Sequence, residues 1–203
     1  MRVRRYAAAA GRRLAAEGGH SLSELLIVLG IITVVVGALV PLFVSASNAQ
    51  VDMTRRFEAQ QDMRLALDKL RREIHCAKEV TAAPPTSSIV ISLGSYCPTN
   101  TTGAVVPVTW FTKDKDGALT NPASPDANPP YSLWRHCGSP CTAPDRKEAD
   151  FLTTGRVFTD YIAAAGGSLG KLRVNLPVDV KPADAKQRYV LEDDIVLRNT
   201  PRL

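Results

Sequence analysis

Between Ser21 and Gln50 the chain carries one charged side chain, Glu24, and from Leu25 to Val44 it is almost wholly apolar. About twenty residues of helix rise roughly 30 Å, the thickness of a hydrocarbon core, so this stretch can cross a bilayer. Arg2, Arg4, Arg5, Arg12 and Arg13 precede it. That basic flank predicts a cytoplasmic N-terminus, with everything after Val44 on the outer face. Glu24 stands at the start of the apolar run, where an unpaired carboxylate costs up to about 3 kcal/mol and calls for a partner. The segment itself offers no basic side chain. An α-amino group created by cutting after Gly19, on His20 of a neighbouring copy, would supply one.

A conventional secretory signal is the rival reading: a basic region, an apolar core, and Ser47-Asn48-Ala49 before a cut at Gln50. Against it, the apolar core exceeds the usual length of about seven to fifteen residues, and two acids, Glu17 and Glu24, lie before it or at its start. A single-pass anchor without cleavage is the third possibility.

Gly19, a short polar-apolar run, Glu24 as the fifth residue after the cut, and Leu25-Leu26-Ile27-Val28-Leu29-Gly30-Ile31-Ile32 together resemble the cleavage and methylation segment of type IV prepilins and type II secretion pseudopilins. The resemblance spans about Gly18 to Pro41. It implies that a prepilin peptidase cuts between Gly19 and His20, that the new amine of His20 is N-methylated, and that Glu24 sets the stagger of packed subunits. Pro41 falls where many pilins carry a helix-kinking proline. The chain departs from that pattern at His20, where the family prefers Phe or Met, and at Ser23, where it prefers Ile or Val.

The net charge of +5 would suit a nucleic-acid binder, but the first nineteen residues carry five arginines against Glu17 alone. Removing them leaves a chain near +1, so the basicity belongs to the leader. Arg55, Arg56, Arg64, Lys69, Arg71 and Arg72 alternate with Glu58, Asp62, Asp68 and Glu73, the pattern of a solvated helix face rather than a basic stripe with interleaved aromatics.

Cys76, Cys97, Cys137 and Cys141 all follow the apolar segment and so fall in the expected extracytoplasmic part, where disulfides persist. Four cysteines allow three pairings; local spacing favours Cys76 with Cys97 and Cys137 with Cys141. A zinc site drawing on His75, His136 and the cysteines competes with that reading, although the spacing is irregular and no Cys-x-x-Cys occurs.

Beyond Pro41, Met53, Phe57, Met63, Leu67, Leu70, Ile74 and Ala77 recur mostly three and four apart, one apolar stripe on a helix. No Gly or Pro interrupts 42–81, which predicts a helix from about Ser21 to Glu79, ended by Pro84-Pro85. Strand-like runs follow at 89–93, 105–111, 131–135, 156–162, 171–180 and 188–197, alternating as in an antiparallel sheet with one buried face. The longest connection, Lys113 to Pro130, reads as a mobile loop. The expected architecture is therefore α+β: a leader over 1–19, a helix over 20–81 that spans membrane to about residue 44 and is amphipathic thereafter, and a β-rich head over 82–203 of about 120 residues, enough for one core.

Leu65-Ala66-Leu67-Asp68-Lys69-Leu70-Arg71-Arg72-Glu73-Ile74, Ser132-Leu133-Trp134-Arg135, Val157-Phe158-Thr159-Asp160-Tyr161 and Ile195-Val196-Leu197-Arg198-Asn199 further resemble the minor pilin group that includes PilW-like and GspJ-like subunits. That resemblance implies a subunit that initiates, caps or decorates a filament. Its implied partners are the prepilin peptidase, other pilins or pseudopilins, an inner-membrane assembly platform and, before assembly, membrane lipid. The implied location is the cytoplasmic membrane, then a pilus or pseudopilus at the cell surface or in the periplasm. DNA, a secreted substrate or a surface ligand could meet the head at the Lys113–Pro130 loop or the Cys137–Cys141 loop.

No catalytic constellation accompanies these features. Ala165-Gly166-Gly167-Ser168-Leu169-Gly170-Lys171 approximates a phosphate loop, but Leu172 stands where a magnesium-binding hydroxyl is needed and a strand pattern follows, so a hairpin turn is expected. Asp114-Lys115-Asp116-Gly117 resembles part of a calcium loop, but Thr112 and Ala123 stand at its first and twelfth positions, so the necessary oxygen count is absent. Glu192-Asp193-Asp194 reads as a solvated turn, and His75 and His136 as structural or surface residues. The expectation is a structural subunit with no cofactor or metal, not an enzyme.

Overall fold

The computed structural model describes residues 21–81, 86–100, 102–139, 143–165, 168–181 and 188–199. One helix, α1 (Leu22–Cys76), leads into β1 (Ala77–Thr81), β2 (Ser88–Leu93), β3 (Val106–Lys113), β4 (Tyr131–Cys137), β5 (Arg146–Leu152), β6 (Phe158–Ile162), β7 (Lys171–Val178) and β8 (Tyr189–Val196). The chain divides into two compact units, Met1–Asp52 and Met53–Leu203.

In the first unit, Ser21 starts the helix. Its carbonyl accepts from the Glu24 and Leu25 amides at 3.0 and 3.2 Å, and its hydroxyl accepts from the Glu24 amide at 3.3 Å. Ser21-x-x-Glu24 thus has the spacing of a capping box, and the acid lies in the first turn where the helix dipole favours it. The helix assignment continues through Pro41. Thr33 turns its hydroxyl back onto the carbonyls of Leu29 and Gly30 at 3.0 and 2.8 Å, satisfying its donor within an apolar stretch.

In the second unit, Ala59, Met63, Ala66, Leu67, Leu70, Glu73 and Ile74 form the buried stripe of α1. All but Glu73 share one hydrophobic cluster with alternate residues of the strands, among them Ile89, Ile91, Val108, Trp110, Leu133 and Val174. The stripe starts later than the sequence suggests, since Met53 and Phe57 are 69 and 67 % exposed. The helix also ends earlier, at Cys76 rather than Glu79. Val80 and Thr81 are β-branched, and 77–81 gains an antiparallel ladder with 90–93 that a further helical turn would forfeit.

Every pairing among the described strands is antiparallel. The order is β1-β2-β3-β4-β5-β7-β6, with β8 on β7. The sheet curls: Thr86, just before β2, exchanges backbone hydrogen bonds with Phe158 of β6 at 2.9 and 3.3 Å. β5 makes the turn. Its register against β4 shifts twice, Phe151 adopts a left-handed φ of 64°, and Leu152 then pairs with Val178 of β7. Such a φ on a bulky residue is unusual, and here it redirects a strand between two partners.

The 113–130 connection is not the free loop its composition suggests. The Thr120 amide donates to the Thr112 carbonyl and the Asp114 amide to the Ala118 carbonyl, at 3.0 and 2.9 Å, making a short hairpin with Gly117 at φ 80°. The Asn128 amide reaches Asp114 and Asp116 at 3.2 and 2.6 Å, and this bond is the chief reason the Asp114 carboxyl titrates below its ordinary value. Gly155 closes the far side, donating to the Pro125 carbonyl at 2.8 Å. A side chain there would strike Thr120, 2.1 Å from an added Cβ.

Candidate functional site

Residues 21–50 are exposed throughout, and the leucines, isoleucines and valines between Leu25 and Val44 are each at least 49 % exposed. This is the only described helix long and apolar enough to cross a membrane, and it contains Glu24 as its one charged residue before Asp52. An apolar surface of this size on one cylinder is costly to leave in water. Gly19 and His20, the expected cleavage and methylation positions, lie outside the described residues. Glu24 occupies the first turn and Pro41 lies mid-helix. Leu22, Leu25, Leu26 and Leu29 surround the acid in sequence and all are exposed.

At the other end of α1, Cys76 is bonded to Cys97. The helix terminus is thereby tied to the loop after β2, one of the two pairings favoured by spacing. Both sulfurs are consumed by that bond. Cys137 is disulfide-bonded as well, and Cys141, its expected partner, lies outside the described residues. His75 serves the same junction, its Nδ1 2.8 Å from the Val196 carbonyl, while the Asn199 amide donates to the His75 carbonyl at 3.1 Å.

Sequence periodicity misplaces Glu73, which is fully buried. It accepts from the Trp110 indole N–H at 2.8 Å and from Arg135 at 2.9 and 2.8 Å. Three elements meet there: the helix supplies the carboxylate, β3 the indole and β4 the guanidinium. A signal existed, because Glu73 lies three residues from Leu70 and seven from Ala66 on the apolar stripe, while Arg135 follows Tyr131 and Leu133 on the inward alternation of β4. An acid and a base that both take apolar positions can reach each other inside.

The cations read as a solvated face also have specific partners. Arg71 contacts Asp193 at 2.9 Å and Asp68 at 2.8 Å. Arg64 donates to the Tyr189 hydroxyl at 3.0 Å, and Lys69 is paired with Glu148. Helix and sheet are therefore pinned along β8 and at β5 by groups that also hold the apolar stripe in register. The acidic run 192–194 belongs to β8 rather than to a turn, and Asp194 bonds Arg173 and Lys171 of β7 at 2.8 and 2.5 Å.

At the expected glycine-rich hairpin, β6 and β7 pair antiparallel and Ala165 is bridged to Ser168, while Gly166 and Gly167 lie outside the described residues. No family model matches this chain, and neither a curated protein nor a solved structure matches it.

Proposed function

We propose that this chain is a minor pilin or pseudopilin: a structural subunit cut after Gly19, whose apolar half-helix first holds it in the membrane and then packs among like helices in a filament. The observation that carries the reading is the uninterrupted exposure of residues 21–50 on a helix whose later turns form the core of an antiparallel sheet. A plain anchor needs only the hydrophobic length. Glu24 adds a feature that an anchor does not need, an acid one residue before the span, within reach of the amine that cleavage would create on a staggered neighbour. The capped first turn holds that carboxylate near the helix start.

Intact mass and N-terminal sequencing of the protein from its own cells test this directly. A chain starting at His20, with or without one added methyl group, is expected; a start at Gln50 or an uncut Met1 would overturn the proposal in favour of a secreted or anchored binding domain. Glu24→Ala should leave cleavage intact and reduce incorporation into filaments by about tenfold or more, as expected for losing one ion pair in an apolar setting. Undiminished incorporation would remove the charge-pairing role.

A further inference from the structure

The face of the sheet opposite Trp110 and Glu73 carries an open groove of about 690 Å³ between β2, β3, β4 and the 113–122 hairpin. Its size suits a small ligand. The lining combines Ser88, Thr109 and Phe111 with Lys113, His136 and Asp145. These converge because Thr109 is directly across from His136, and Phe111 from both Ser88 and Trp134, in the strand register. Lys113 opens the first connection that the sequence singles out as ligand-facing, and His136 directly precedes the second.

The charges here cancel one another. Asp145 lies 2.8 Å from His136 Nδ1 and 3.6 Å from Lys113 Nζ. The Lys113 ammonium also sits over the rings of Trp134 and Phe111, 4.3 and 5.4 Å from their centroids. A nucleic acid or a sulfated chain would find one cation, already shared between a carboxylate and two rings. A metal cation would have to displace Lys113 and the imidazole from Asp145. An apolar ligand would bury the Ser88 and Thr109 hydroxyls, which make no side-chain hydrogen bond among the described residues, and that burial is costly. Beside apolar surface from Phe111, Leu119 and Pro122, the lining offers hydrogen bonding with little net charge: two free hydroxyls that can donate or accept, the Lys113-paired carboxylate with acceptor capacity left, and an imidazole. With Nδ1 engaged by Asp145, the imidazole turns Nε2 to a ligand, as an acceptor when neutral and a donor when protonated.

We infer that this groove is a binding site for a neutral, polyhydroxylated ligand, a carbohydrate segment, and that Ser88, Thr109, His136 and Asp145 are its polar contacts. The site stands on the head alone and is independent of how the helix is processed or assembled.

The full-length chain, held in micelles of a phosphocholine detergent so that no sugar headgroup competes, is titrated with neutral glucose, galactose and N-acetylglucosamine trisaccharides, with heparin and with single-stranded DNA, and tryptophan emission is followed. At least one neutral trisaccharide is expected to bind more tightly than heparin or DNA, with little salt dependence. The double variant Ser88→Ala/Thr109→Val should weaken it about tenfold, the worth of two modest hydrogen bonds, with an unchanged thermal unfolding midpoint as the control on folding. Asp145→Asn frees Lys113 and should shift preference toward heparin. Absence of neutral-sugar binding at millimolar concentration, tighter and salt-sensitive binding of DNA or heparin by the unmodified chain, or full affinity in the folded double variant would each overturn the site.

Discussion

Glu73 is the residue whose surroundings leave it least freedom. A buried carboxylate is tolerable only when its lone pairs are filled and its charge is met, and here the indole of Trp110 and the fork of Arg135 do both. Glu73→Gln keeps an acceptor for the indole but leaves the guanidinium of Arg135, 13 % exposed, without its counter-ion. Loss of about 3–5 kcal/mol is expected in a urea titration of the micellar protein, with the double variant Glu73→Leu/Arg135→Met recovering most of it. A single variant within about 0.5 kcal/mol of the parent would mean that the pair is not held as described. Glu73 was hard to read from sequence for a specific reason: charge alternation on a helix usually reports solvent, and only the position of this acid on the apolar stripe distinguishes it from Glu58 or Asp62.

At the level of elements, the strands seen in the sequence were those whose own alternation carries the pattern, such as Leu172-Arg173-Val174-Asn175-Leu176 in β7. β1 and β5 were not. Ala77-Lys78-Glu79-Val80-Thr81 continues an unbroken helical stretch and becomes a strand only through its partner β2. Arg146-Lys147-Glu148-Ala149-Asp150 is nearly all charged, and its extended state is set by β4. Non-local pairing decided both cases, with the β-branched Val80 and Thr81 the one local sign in β1. The β7–β8 pair shows what such pairing adds: Asp194 accepts from Arg173 and Lys171 across the ladder, which holds its carboxyl from an ordinary 3.8 down to about 2. A lowered folded-state value means that stability is gained above the ordinary value and lost as pH falls through about 2. Between those limits, the parent should lose stability more steeply than Asp194→Asn. Because the group is exposed, molar salt should shrink the difference. Parallel slopes in low-salt acid titrations would remove this contribution.

The whole molecule separates an exposed apolar stretch from a packed core along one helix. Every buried residue among those described lies at Ala59 or later, so the core owes nothing to the apolar turns before it. A chain beginning at Met53 should therefore fold without detergent and unfold cooperatively, with a urea midpoint close to that of the full chain in micelles. Aggregation or a non-cooperative transition would show that the first half-helix supports the core after all. The long helix, its switch from apolar to amphipathic, and the antiparallel head were legible because each rests on periodicity. The groove was not, since it depends on which strand residues face each other across three strands and on a hairpin that composition alone reads as loose.

The bond between Cys76 and Cys97 has a mechanical meaning as well. A pull along the helix arrives at Cys76 and can pass through sulfur directly to Cys97. The hairpin of β1 and β2 lies inside that covalent shortcut and is bypassed. Without the bond, tension would enter at β1, a sheet-edge strand that pairs only with β2 among the described residues, and could peel it away one hydrogen bond at a time. With it, the load path enters the sheet beyond β2, close to β3, and the β1–β2 seam is spared traction.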